Sequence, residues 1–142
     1  MKELKMGNWT IEEIKNFLIK NGIRPSFYRL KIYQYLLNER THPSADEIFL
    51  YLKKEIPTIS RATIYNTLNL FLNKRLVQLI NLERDEARYD ATLSWHAHFK
   101  CLNCNKVFDF HIESLKLKGV EGFQILEKQL NLAGYCAQCQ KK

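Results

Sequence analysis

A chain of 142 residues, 46% of them hydrophobic, can bury one sizeable core or two small ones, and it carries a net charge of +7. The charge is uneven: residues 1–84 hold 14 Lys+Arg against 8 Asp+Glu, and residues 85–142 hold 8 against 7, so a polyanionic partner is sought on the N-terminal side. Charges interrupt the N-terminal residues and every later apolar stretch before it reaches bilayer-spanning length, which excludes an export signal or membrane span and predicts a soluble, cytoplasmic protein.

The first half reads as four short helices, each with a start signal followed by apolar residues three and four apart. Thr10 and Glu13 form a capping box ahead of Ile11, Ile14, Phe17 and Leu18, and Gly22 ends that helix. A second starts near Pro25 or Ser26 and carries Leu30, Tyr33, Leu36 and Leu37 on one face. Ser44 and Glu47 open a third, with Ile48, Tyr51 and Leu52 as its buried stripe and a break at Ile56-Pro57. Ser60 caps a fourth over residues 61–74, with Ile64, Leu68, Phe71 and Leu72 inward and Arg61, Thr63, Tyr65 and Asn66 available near its first turns.

Beyond it the period changes. Residues 76–82 and 87–91 are apolar-rich runs flanking the polar segment 83–86, a β-hairpin without a glycine turn. Helices followed by a hairpin suggest a winged helix-turn-helix, a DNA-binding domain over residues 1–91, because the basic half coincides with the helical half. The same elements also fit a plain α+β core, in which exposed Arg and Thr are ordinary surface.

Residues 92–142 form a separate small domain. His96-Ala97-His98-Phe99-Lys100-Cys101 and Val107-Phe108-Asp109-Phe110-His111 alternate as strands. Residues 113–122 are polar with room for one helical turn, and 123–135 fit strand or helix equally. Cys101, Cys104, Cys136 and Cys139 make two CxxC pairs separated by 31 residues, each able to present two thiolates to one tetrahedral ion. In a reducing compartment that pattern favours a closed, structural zinc site over redox disulfides, with an iron–sulfur cluster as the main rival.

His96 and His98 share one side of a strand, and Asp109 lies on the next. An HxH pair alone is more often surface or hydrogen-bonded histidine than a ligand pair, but with a carboxylate nearby it can make an N/O site suited to iron, manganese or zinc. No glycine-rich nucleotide loop, Ser/His/Asp grouping or HExxH accompanies these features, which argues against an enzyme.

The order of motifs resembles the ferric uptake regulator (Fur) family from Arg24-Pro25 to Cys139: HPSADEIF at 42–49, SRATIYNTL at 60–68, RYD at 88–90, HAHFKCLNC at 96–104, and the final CxxC. The resemblance implies an α+β protein: an N-terminal winged helix-turn-helix domain and a small zinc-stapled α/β dimerisation domain, with a regulatory metal between them. By position, His42, Asp90, His96, His98 and Asp109 match the regulatory ligands. Aspartate at 90 and 109 looks like the peroxide-sensing, PerR-like branch.

In that branch ferrous iron reduces peroxide and the oxidant attacks an adjacent imidazole, with His42 and His96 as the expected targets; the metal is then lost and DNA released. The resemblance therefore implies a homodimeric repressor with structural Zn(2+) and regulatory Fe(2+) or Mn(2+), placing Arg61, Thr63, Tyr65 and Asn66 on a palindromic double-stranded operator. A sensor of iron, manganese or zinc sufficiency in the same family is the alternative. A zinc-stabilised protein-interaction module or a metal-dependent hydrolase are the readings of another class. The stretch after Asp109 is shorter than is usual in the family, where it carries a helix of the dimerisation domain. Glu127, Lys128 and Gln129 stand where many relatives have histidines, so a third metal site is not expected.

Overall fold

Local start and stop signals fix the first helices. α1 (Ile11–Lys20) begins in a complete capping box, the Thr10 hydroxyl accepting the Glu13 N–H while the Glu13 carboxylate accepts the Thr10 N–H. It ends as Gly22 turns left-handed at φ 75°, which lets Ile23 N–H reach back to the Leu18 carbonyl. These are coordinates of a computed structural model that describes residues 8–39, 42–80, 86–92 and 95–141. The chain divides into two compact units, Met1–Leu93 and Ser94–Lys142.

In the first unit α2 (Phe27–Asn38), α3 (Ala45–Glu55) and α4 (Arg61–Asn73) follow, capped by Ser26, Ser44 and Ser60, each of whose hydroxyls accepts the N–H three residues on. α4 ends in the same geometry as α1 without a glycine: Arg75 adopts φ 59°, and Leu76 N–H bonds the Phe71 carbonyl. That turn consumes Leu76 and Val77, so β1 (Gln78–Ile80) starts later than the apolar run suggests. β1 pairs antiparallel with β2 (Arg88–Asp90), as a hairpin requires; of the expected turn at 83–86, residues 83–85 lie outside the described residues.

The core of this unit is built from all four helices, with Ile14, Leu18, Ile32, Tyr33, Ile48, Leu52, Ile64, Leu68 and Phe71 buried. An aromatic chain runs through it, Trp9 to Phe17 to Tyr33 to Phe71, with ring centroids 5.1 to 5.7 Å apart. Tyr33 donates its hydroxyl hydrogen to the Leu76 carbonyl at 3.1 Å, and burial drives its pKa up. The expected stripe of α3 is corrected: Tyr51 is 49% exposed and lies tilted against Tyr35, whereas Phe49 is buried. α3 packs against both α2 and α4, so its buried face is wider than one row of residues.

The cap of α4 gives a direct check. Ser60 Oγ lies 3.1 Å from the Thr63 N–H and 2.8 Å from the Thr63 hydroxyl. Ser60→Ala is expected to lower stability by about 1 kcal/mol, read as a lower urea midpoint at constant slope.

The second unit is a three-stranded sheet ordered β4-β3-β5, followed by a one-turn helix α5 (Ala137–Gln140). β3 (His96–Cys101) pairs antiparallel with β4 (Val107–His111) and parallel with β5 (Leu130–Gly134). Asn105, at φ 61°, makes the tight β3–β4 turn, a conformation asparagine tolerates. Residues 112–129 form no helix or strand; the helical turn expected at 113–122 is absent there, and only 130–134 of the ambiguous stretch become strand. Among the described residues of this unit the only buried apolar side chains are Ala97, Cys101 and Cys136, while Leu115, Leu117, Phe123, Ile125 and Leu126 are exposed. No helix among the described residues is long and apolar enough to cross a membrane.

Candidate metal centres and helix surface

The four cysteines converge because Cys101 ends β3 and Cys104 follows in the β3–β4 turn, while Cys136 stands at the N-cap of α5 and Cys139 lies within it, just past β5 on the other side of β3. All four Sγ atoms lie within 4.8 Å of one another, and Cys104 and Cys136 are 3.9 Å apart, far beyond a disulfide bond. Around a tetrahedral ion with Zn–S bonds of about 2.3 Å, neighbouring sulfurs stand about 3.8 Å apart, so the donor set fits zinc.

The electrostatics point the same way. Hydrogen bonds from the Cys104 and Cys136 backbone N–H groups hold the Cys101 thiol down to about 6 against the effect of its burial, which favours its thiolate. Cys139 is pushed up: the Asn103 amide, 3.3 Å from its sulfur, favours the thiolate, but the sulfurs of Cys136, Cys101 and Cys104 together with burial outweigh it. Crowded sulfurs that resist joint ionisation are relieved by a divalent cation among them. Asn103 inside the first CxxC is a supporting residue the sequence reading missed.

The imidazole and carboxylate candidates fall into two sets. In the first unit His42 is buried at a left-handed φ of 56°, an uncommon conformation for a residue with a Cβ. Its loop is tied to β2, since Tyr89 N–H bonds the Pro43 carbonyl and Ser44 bridges to Arg88. This brings buried Asp90, the last residue of β2, within reach: His42 Nε2 stands 3.6 Å from Asp90 Oδ2, while Oδ1 accepts the Thr92 N–H.

In the second unit Asp109 is the cross-strand partner of His98. Its Oδ1 lies 3.4 Å from His96 Nε2 and 3.6 Å from His98 Nε2, and the two rings are 4.4 Å apart. These separations exceed a good hydrogen bond and match two donors about 2.1 Å from one ion. Borderline nitrogen and hard oxygen donors suit iron, manganese or zinc.

Of the residues expected at a helix surface, Arg61, Tyr65 and Asn66 are exposed on α4, whereas Thr63 is half-buried with its hydroxyl held by Ser60. Arg61 is engaged as well, ion-paired with Asp46 and laid on the Phe49 ring.

Soft and hard donor sets in a chain whose basic half is a helical unit define a metal-binding transcriptional regulator. The profile of the Ferric uptake regulator family matches residues 20–133. The peroxide operon regulator of Bacillus subtilis (strain 168) is 34% identical over 137 residues, covering 93% of this chain and 94% of that protein. The Campylobacter jejuni peroxide stress regulator superposes with a TM-score of 0.67 at 26% identity, over 92% of this chain and 99% of that one. The Helicobacter pylori ferric uptake regulator, at 22% identity, shares the fold with a TM-score of 0.73 over 100% of this chain and 99% of that one. The chain belongs to the ferric uptake regulator family and is a transcriptional regulator, not an enzyme.

Proposed function

We propose that this chain is a peroxide-responsive, metal-dependent repressor. The observation that carries the reading is the pair of imidazole–carboxylate sets, His42 with Asp90 and His96 with His98 and Asp109, each carrying an aspartate, in a chain 34% identical to a peroxide operon regulator. His42, Asp90, His96, His98 and Asp109 are the ligands of regulatory Fe(2+) or Mn(2+); a zinc ion on Cys101, Cys104, Cys136 and Cys139 holds the second unit together.

The first unit, residues 1–91, is a winged helix-turn-helix with α4 in the major groove and Arg61, Thr63, Tyr65 and Asn66 at its leading end. The second, residues 92–142, is the dimerisation domain. Its segment 112–129 leaves apolar side chains in water that a second copy would cover, and a two-fold dimer reads a palindromic operator in the cytoplasm.

Bound iron supplies the electrons that reduce peroxide beside its ligands. The residues do the rest: His42 and His96 hold their imidazoles where oxidant is produced, and an imidazole that takes up oxygen no longer donates a lone pair. The preference for the DNA-competent arrangement then vanishes with the metal.

Mobility shifts with iron, manganese and chelator, before and after peroxide, test this. Metal-dependent binding, with an added oxygen on His42 or His96 by mass spectrometry of the iron form, is the expected result. Unmodified histidines with intact metal-dependent binding would make the chain a metal-sufficiency regulator. Binding indifferent to salt and divalent metal would sink both readings.

A further inference from the structure

Three residues of α3, Asp46, Phe49 and Lys53, fall at i, i+3 and i+7 and share one helix face. Two cations converge on that face. The Arg61 guanidinium carbon lies 4.4 Å from the centre of the Phe49 ring and Lys53 Nζ lies 5.3 Å from it, both within cation–π reach. Phe49 is buried and therefore fixed, while Arg61 and Asp46, which pair through a guanidinium N–H and a carboxylate oxygen, are each half in water. Arg61 is the first residue of α4, so this cradle holds a planar cation at the leading end of the helix beside exposed Tyr65 and Asn66.

We propose that this α3 face belongs to the DNA-binding surface and that Asp46 is a positioning residue that sets sequence selectivity through Arg61. The inference rests on the DNA-binding reading of α4. Contact with the Phe49 ring and the pair with Asp46 hold the guanidinium from two sides, and the pair uses only one of its nitrogens. A cation oriented beforehand suits the in-plane, two-donor contact that a base edge offers. The Asp46 carboxylate meanwhile repels phosphates, which are alike in every sequence, and so lowers indiscriminate binding by Arg61 and Lys53. Asp46 thus costs affinity for any duplex and raises the preference for the right one.

The test uses the metal-loaded full-length protein and two probes, a duplex selected by the wild type from a random pool and an unrelated duplex of equal length. Asp46→Asn removes the charge while keeping the shape. It should tighten binding to the unrelated duplex at low salt and steepen its salt dependence by about one unit of slope per Asp46 site, a change of about fourfold in affinity between 50 and 200 mM salt. The ratio of selected to unrelated affinity should fall at least threefold, and Asp46→Glu should restore it. In an Arg61→Ala background, Asp46→Asn should no longer change the ratio.

A purely structural role for Asp46 would alter the unfolding midpoint without moving the salt slope. An unchanged slope and ratio in Asp46→Asn, or the same shift in ratio in the Arg61→Ala background, would overturn the proposal while leaving wild-type DNA binding intact. Absence of wild-type binding under every metal condition would overturn the DNA-binding reading as well.

Discussion

Replacing Cys101 with serine is expected to unfold the second unit. Cys101 is fully buried at the end of β3, and its sulfur accepts the Cys136 N–H, joining the two CxxC turns. Ala97, Cys101 and Cys136 are the only buried apolar side chains among the described residues of that unit, too few for packing to hold a sheet alone. A structural zinc site contributes about 10 to 16 kcal/mol of apparent binding free energy at neutral pH, more than a small domain's whole margin of about 5 to 15. The variant should lose zinc, show no slow-exchanging amides over residues 96–134 by hydrogen exchange, and run as a monomer on size exclusion. A zinc-free Cys101→Ser protein with unaltered protection in β3 and β5 would show that the sheet stands without its metal.

Phe71→Ala should be the most damaging change in the first unit. Phe71 is fully buried, edge-on to Tyr33 at 5.1 Å, and its carbonyl anchors the left-handed turn that ends α4. Emptying that volume costs about 3 to 5 kcal/mol, which reaches or exceeds half the stability of many domains. Urea unfolding followed at the first unit should show a lower midpoint at constant slope, the drop being that free energy divided by the slope. Tyr65→Ala, a 46% exposed residue on another face of the same helix, is the contrast: stability within about 0.5 kcal/mol of wild type and weakened DNA binding. Equal losses of stability in the two variants would mean that the faces of α4 are misassigned.

The helices were legible because their start signals are local. Thr10, Ser26, Ser44 and Ser60 each cap the helix that follows, and a hydroxyl that satisfies an N–H three residues on needs nothing from elsewhere in the chain. The choice of buried face is not local. Tyr51 and Phe49 both fit an apolar stripe, and what buries Phe49 is contact with two neighbouring helices that the spacing of one helix does not encode. The four cysteines could be grouped from spacing alone, since two CxxC pairs in one small domain have few other uses.

The histidines could not be grouped in that way. His42 and Asp90 lie far apart in the chain, and family resemblance, not periodicity, brought them onto one list. Residues 113–122 are polar and 123–129 fit strand and helix equally, so nothing in them selects one element, and 112–129 form neither helix nor strand. The pairing of Arg61 with Asp46 was hidden for a further reason: each charge is ordinary at a helix surface, and only their juxtaposition gives them meaning.

The left-handed backbone at His42 has one further consequence. Glycine adopts that conformation freely, whereas a residue with a Cβ pays about 1 kcal/mol or somewhat more. The His42 side chain is also buried and stands 3.6 Å from Asp90, so glycine at position 42 would relax the backbone but leave a buried gap that costs more than the strain it relieves. His42→Gly should therefore lower the melting temperature as well as remove the imidazole, so the strain at this position is not one that selection for stability alone would relieve.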